Sequence, residues 1–100
     1  MSSKKTTSAG PALAEYEAGY IYGIKMQMGV FQVYADHFKF ESYSYLFRMP
    51  FADIKKINIP FFNGSAVAIH TSHKKYSFQF KLHDSSTMVE RVRRYATGRL

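Results

Sequence analysis

The sequence predicts a mainly β domain, a barrel or two-sheet sandwich of about seven antiparallel strands closed by one C-terminal amphipathic helix. Three observations lead there. From Gly19 to Leu82 apolar and polar residues alternate with period two. The polar turns between these runs are only a few residues long. Such turns join antiparallel neighbours, because parallel strands need crossovers of a dozen residues or more. The period then changes once, after Asp84, to helical spacing.

Residues 1–10 are rich in Ser, Thr, Lys and Gly, with no large apolar residue after Met1, and read as a disordered tail. Residues 11–18 open with Pro11 and stop before Gly19, the asymmetry of a short helix that would dock through Leu13 and Tyr16. The domain itself is expected over residues 19–100. Met26 and Met28 sit in the first hairpin, where they could insert into a membrane interface or line a peptide groove, but their spacing better suits core or rim packing. Gly29-Val-Phe-Gln-Val-Tyr34 is rich in strand formers, and Ala35-Asp-His37 is a tight turn. Phe38 and Phe40 alternate with Lys39 and Glu41, and Phe47, Met49 and Phe51 share a face opposite Arg48. Pro50 and Asp53 break the alternation into a bend, after which Ile54 and Ile57 point the same way. Val67, Ile69 and Thr71 form the next run. Tyr76, Phe78, Phe80 and Leu82 form the cleanest half-buried strand. The turns between these runs carry Ser42-Tyr-Ser44, Asn63-Gly64-Ser65 and Ser72-His-Lys-Lys75. Asp84-Ser-Ser-Thr87 offers N-cap oxygens, and Thr87-Met-Val-Glu90 has capping-box spacing. Met88, Val92 and Tyr95 then make an apolar stripe, with Val89 and Ala96 at its margin. Glu90 can pair with Arg94, and Gly98 is a natural stop.

Two stretches resemble the pleckstrin-homology-like (PH-like) superfamily, closest to its GRAM and bacterial PH-like members. One is Gly29-Val-Phe-Gln-Val-Tyr-Ala-Asp-His-Phe-Lys-Phe40. The other is Phe47-Arg-Met-Pro-Phe-Ala-Asp-Ile-Lys-Lys-Ile57. With Tyr76-Ser-Phe-Gln-Phe80 and the final helix, the resemblance spans about residues 19–97. It implies a PH-like barrel and a non-catalytic interaction module. Phosphoinositide-binding members carry several basic residues in and after the first hairpin. Here that hairpin has only Lys25, with Gln27 and Gln32 where more charge would help, which argues against specific inositol-phosphate recognition.

The charge balance is +7, so anionic partners are favoured. Lys25, Lys55, Lys56, Lys74 and Lys75 are the candidates for an anionic-lipid patch, with Arg48 and Lys39 as possible members. The competing account is ordinary solvation by strand-edge lysines. Arg91, Arg93 and Arg94 fan across the helix as the nucleic-acid alternative, while Tyr43 and Tyr45 are the expected exposed rings. The βαββαβ order and aromatic signature of an RRM are missing. With no cysteine there is no disulfide framework, thiolate zinc site or cysteine nucleophile. His37, His70, His73 and His83 are scattered, so no metal or other cofactor is expected. No phosphate loop or nucleophile elbow points to an enzyme. No apolar run approaches the roughly 20 residues of a transmembrane helix, and no h-region follows the N-terminal lysines. The expected partners are a protein or peptide first, an anionic membrane second and nucleic acid third. Edge strands could also pair with a second copy. The expected location is cytoplasmic, or peripheral at the inner membrane face.

Overall fold

A computed structural model describes residues 11–60 and 64–96. The predicted tail and the Gly98 stop lie outside those residues, as does Asn63 of one predicted turn. Seven antiparallel strands form one curled half-barrel sheet, followed by a single helix. The strands are β1 (Ala14–Tyr22), β2 (Lys25–Val33), β3 (His37–Ser42), β4 (Leu46–Pro50), β5 (Ile54–Asn58), β6 (Ala66–Thr71) and β7 (Lys75–Phe80); the helix is α1 (Asp84–Tyr95). The strand order is β4-β3-β2-β1-β7-β6-β5. A 3-10 turn at Phe51–Asp53 forms the expected bend, closed by the Ile54 N–H donating to the Phe51 carbonyl. Ile54 and Ile57 are both buried after it, as their spacing predicts.

The short helix expected over residues 11–18 is not formed. β1 begins at Ala14, and even the Leu13 N–H donates to the Val33 carbonyl at 2.8 Å. The domain therefore starts before Gly19. β1 is the central strand, paired with both β2 and β7. Hydrogen bonding along both edges, with Tyr16, Ala18 and Tyr20 facing the core, outweighs the helix propensity of Ala, Leu and Glu.

The core is aromatic. Phe31, Phe38, Phe40 and Phe78 are fully buried; Phe31 stacks on Phe38 at 4.7 Å and meets Phe78 edge-on at 5.2 Å. Offset and T-shaped pairs of this kind add to the energy of area burial alone. Leu82 lies beyond the end of β7 and is exposed, contrary to its place in the alternating pattern.

α1 packs on β6 and β7 through Met88, Val89, Val92 and Ala96. Tyr95 is only half-buried, so the stripe is centred one residue away from the predicted line. The predicted capping box does not form. The helix starts earlier, after His83 in the left-handed region, and the Thr87 hydroxyl donates back to the His83 carbonyl at 3.0 Å. Instead, the buried Ser85 hydroxyl donates to the Gly64 carbonyl and ties the first helical turn to the loop before β6.

An exposed ion pair marks the exit from the sheet. Lys81 Nζ stands 2.7 Å from the Glu17 carboxylate; this bond holds Glu17 below the usual carboxylate range and Lys81 above the usual ammonium range. The lowered carboxylate contributes stability that is present above its unfolded pKa and lost as pH falls through its folded value. The raised ammonium contributes stability that is lost only in strong alkali. Glu17→Gln should therefore flatten the fall in melting temperature below the ordinary carboxylate range, about pH 4 to 4.5. An unchanged acid limb would show that the pair is decoupled from folding.

Candidate functional site

The strand register decides which predicted residues meet. Tyr22 pairs with Lys25 across a two-residue turn, Gly23-Ile24, with Gly23 at φ 61°. Glycine at the first turn position suits the twist of such a hairpin. Because Ile21 pairs with Ser77 and Gly29 with Ser42, three connections gather at one end of the sheet. They are Gly23-Ile24, the turn holding Tyr43 and Ser44, and the turn from Ser72 to Lys74. α1 marks the opposite end through its bonds from Ser85 to Gly64 and from Arg91 to Tyr16.

The inner wall of the open end is a tyrosine cluster. Tyr20 lies 5.0 Å from Tyr45 and 4.8 Å from Phe47, and Phe47 lies 5.3 Å from Tyr76. Tyr45 is thus half-buried in this wall and not the exposed ring expected, whereas Tyr43 is fully exposed. The Tyr22 phenol, hydrogen-bonded to Tyr45, pushes the Tyr45 phenol pKa up.

Around this wall stand the cations. Lys25 opens β2, and Lys75 opens β7. Lys74 lies on the turn with its ammonium 4.8 Å above the Tyr76 ring, a cation–π contact. Lys55 and Lys56 lie within β5, not on a loop tip, where the register shifts between Ile54 and Lys56. Lys56 pairs with His70, and His70 with Lys75, so the three form one row on the outer sheet face. Arg48 and Lys39 pair with each other on β4 and β3, in the other half of the sheet, and Lys39 lies 3.7 Å from Glu41. They do not join this set.

Gln27, which the sequence suggests is a missing charge, is a clasp. Its side-chain oxygen accepts from the Ser42 hydroxyl and, at 2.8 Å, from the Ser44 N–H, fixing the turn that presents Tyr43. A lysine there would lack the acceptor that this turn uses.

The arginine set is split. Arg93 donates to the Ile57 carbonyl at 2.8 Å, Arg91 to the Tyr16 and Tyr95 hydroxyls, and Arg94 lies 3.8 Å from Glu90. Two of the three therefore hold the helix on the barrel. Among the described residues no three His, Asp or Glu side chains gather as metal ligands. His37 stacks on Tyr34 and bonds Asp36 at 2.7 Å, holding that carboxylate below its usual range.

Ile24 and the outward methionines escape a reading by composition. Met26 and Met28 are 52% and 56% exposed, not in core or rim. Parity ties them to Phe31 and Val33: once those odd positions are in the core, the even positions of the same strand face outward.

No protein-family model and no curated protein matches the chain. Among solved structures it is similar to a crystal structure described as the C-terminal domain of an unknown protein from Leishmania infantum. The TM-score is 0.70 at 14% identity, covering 86% of this chain and 84% of that one. At that identity the likeness shows the fold alone.

Proposed function

We propose that this chain is a non-catalytic PH-like interaction domain whose open end attaches weakly to anionic membrane surfaces. The observation that carries the reading is convergence: Lys25, Lys74 and Lys75 ring the same end at which Ile24 and Tyr43 stand fully exposed. Cations that draw the domain to anionic headgroups, next to an aliphatic and a phenolic side chain at two turn tips, suit an interfacial contact. The strand order, the bend after Pro50 and the terminal helix support the PH-like part of the reading. A peripheral position on an inner membrane face, where anionic lipids concentrate, goes with it.

The other partners are less favoured. A peptide or second copy adding a strand would meet Arg48 and Pro50 on the free edge of β4, both of which oppose pairing. On β5 it would meet the Arg93 guanidinium. Nucleic-acid binding through the helix would need Arg91 and Arg93 to abandon their bonds within the fold.

Co-sedimentation with phosphatidylcholine vesicles, with and without phosphatidylserine and across salt, tests the reading. Lys74→Glu combined with Lys75→Glu is expected to weaken binding to anionic vesicles. At about 1 kcal/mol per cation, losing two lowers affinity by at least roughly thirtyfold, and the two added carboxylates are repelled as well. Arg94→Glu, on the distant helix, should change it far less. If the wild type fails to sediment with anionic vesicles at low salt, the membrane reading falls and a protein partner replaces it.

A further inference from the structure

We propose, resting on that membrane reading, that the lipid-facing surface extends beyond the rim of turns. It continues down the outer sheet face of β1 and β2, from Ile24 through Met26 to Met28. In this stripe Met26 and Met28 are successive outward residues on β2, about 7 Å apart, and Ile24 on the turn precedes them. Ile24 is fully exposed, and both methionines are more than half exposed. The stripe is built to lie flat. Gly19 is the residue opposite Met28, and a Cβ there would stand 2.6 Å from Met26 Sδ and 3.0 Å from Met28 Sδ. The missing side chain lets both thioethers fold across β1.

The surroundings set the occupant. Alongside the stripe, the outward positions on β1 and β7 are Gly19, Ile21, Ser77 and Gln79, none of them charged. One step further from the open end, Val30 is flanked by Glu17 and Glu41, so carboxylates bound the apolar zone. On the other side runs the row Lys75–His70–Lys56, and among the described residues none of the three is in an ion pair. Two lysines flank His70 in this row and present unpaired ammonium groups to an anionic surface. Soft apolar side chains beside a cationic row, bounded by carboxylates, complement the interface of an anionic bilayer. The domain then lies tilted, β1 and β2 against the lipid.

The sequence contains no tryptophan, so a single introduced indole reports its own environment. Ile24→Trp, Met28→Trp and, as a reference beyond the end of β7, Leu82→Trp are titrated with phosphatidylcholine–phosphatidylserine vesicles carrying a brominated-lipid quencher. Thermal melts check that each variant folds, and Met26→Trp replaces Met28→Trp if the latter does not. The expected result is a blue shift with quenching at positions 24 and 28, and neither at 82. If the vesicles bind the protein and position 24 shifts while position 28 does not, the tips alone touch lipid. The membrane reading then stands and this inference is overturned. A shift at position 28 that grows with protein concentration in the absence of vesicles assigns the face to a second copy, and likewise overturns it. Failure of the wild type to bind any anionic vesicle removes the underlying reading itself.

Discussion

Val92→Asp should unfold the domain or lower its stability by several kcal/mol. Val92 is fully buried on the sheet-facing side of α1, between the buried Met88 and Ala96. A carboxylate there loses its hydration and gains no cation, because Arg91 and Arg93 are directed to Tyr16 and to the Ile57 carbonyl. Burying an unpaired charge is among the few single changes that exceed the usual range of point mutations. Thermal or denaturant melts of Val92→Asp beside Val92→Ala provide the check. The alanine variant loses methyl groups and leaves a small void, so it should be clearly less damaging. A melting temperature unchanged by Val92→Asp would mean that α1 does not close the barrel.

The second large effect is expected from the smallest possible substitution. Gly29 lies on β2 between Ala18 of β1 and Ser42 of β3. A Cβ added there would run into the Glu41 backbone carbonyl and stand 2.9 Å from both Phe40 Cζ and Ser42 Cβ. A backbone oxygen cannot rotate away, so β2 and β3 must separate or the Phe40 ring must leave its packed place. Overpacking of this kind costs about 1–3 kcal/mol and sometimes more, and Gly29→Ala is expected at or above the upper end. Gly19→Ala is the contrast. The atoms nearest its Cβ are Met26 Cγ and Sδ and Met28 Sδ, all on half-exposed flexible side chains that can swing aside. A denaturant midpoint that falls strongly for Gly29→Ala and little for Gly19→Ala fits this account; equal losses at both positions would overturn it.

Those two glycines show how far the sequence could be read. Both stand in strands, and local sequence gives no means of telling them apart. What separates them is the face each one occupies and what a third strand places against it. The lysines are similar. Lys56 and Lys75 are 19 positions apart, and they become neighbours only because His70 pairs with both. Pairing across strands is non-local, and no propensity reports it.

The sequence by itself determined the elements whose signal is local. Alternation placed Phe38 and Phe40, Val67 and Ile69, and Phe78 and Phe80 in the core, because a half-buried strand leaves a period of two in its own residues. The change to helical spacing after Asp84 announced α1, and Pro50 with Asp53 announced the bend before β5. Tertiary structure alone decided the rest. Pro11 and Gly19 punctuate a helix on paper, yet pairing with β2 and β7 makes residues 14–22 the central strand. Two of the three arginines that a charge pattern offers to nucleic acid, Arg91 and Arg93, are held by a tyrosine and by a carbonyl distant in sequence. Both faces of β2 carry apolar side chains, so period two could not say which face the barrel would cover. The curl of the sheet around the phenylalanine cluster settled it, enclosing Phe31 and Val33 and leaving Met26 and Met28 outside.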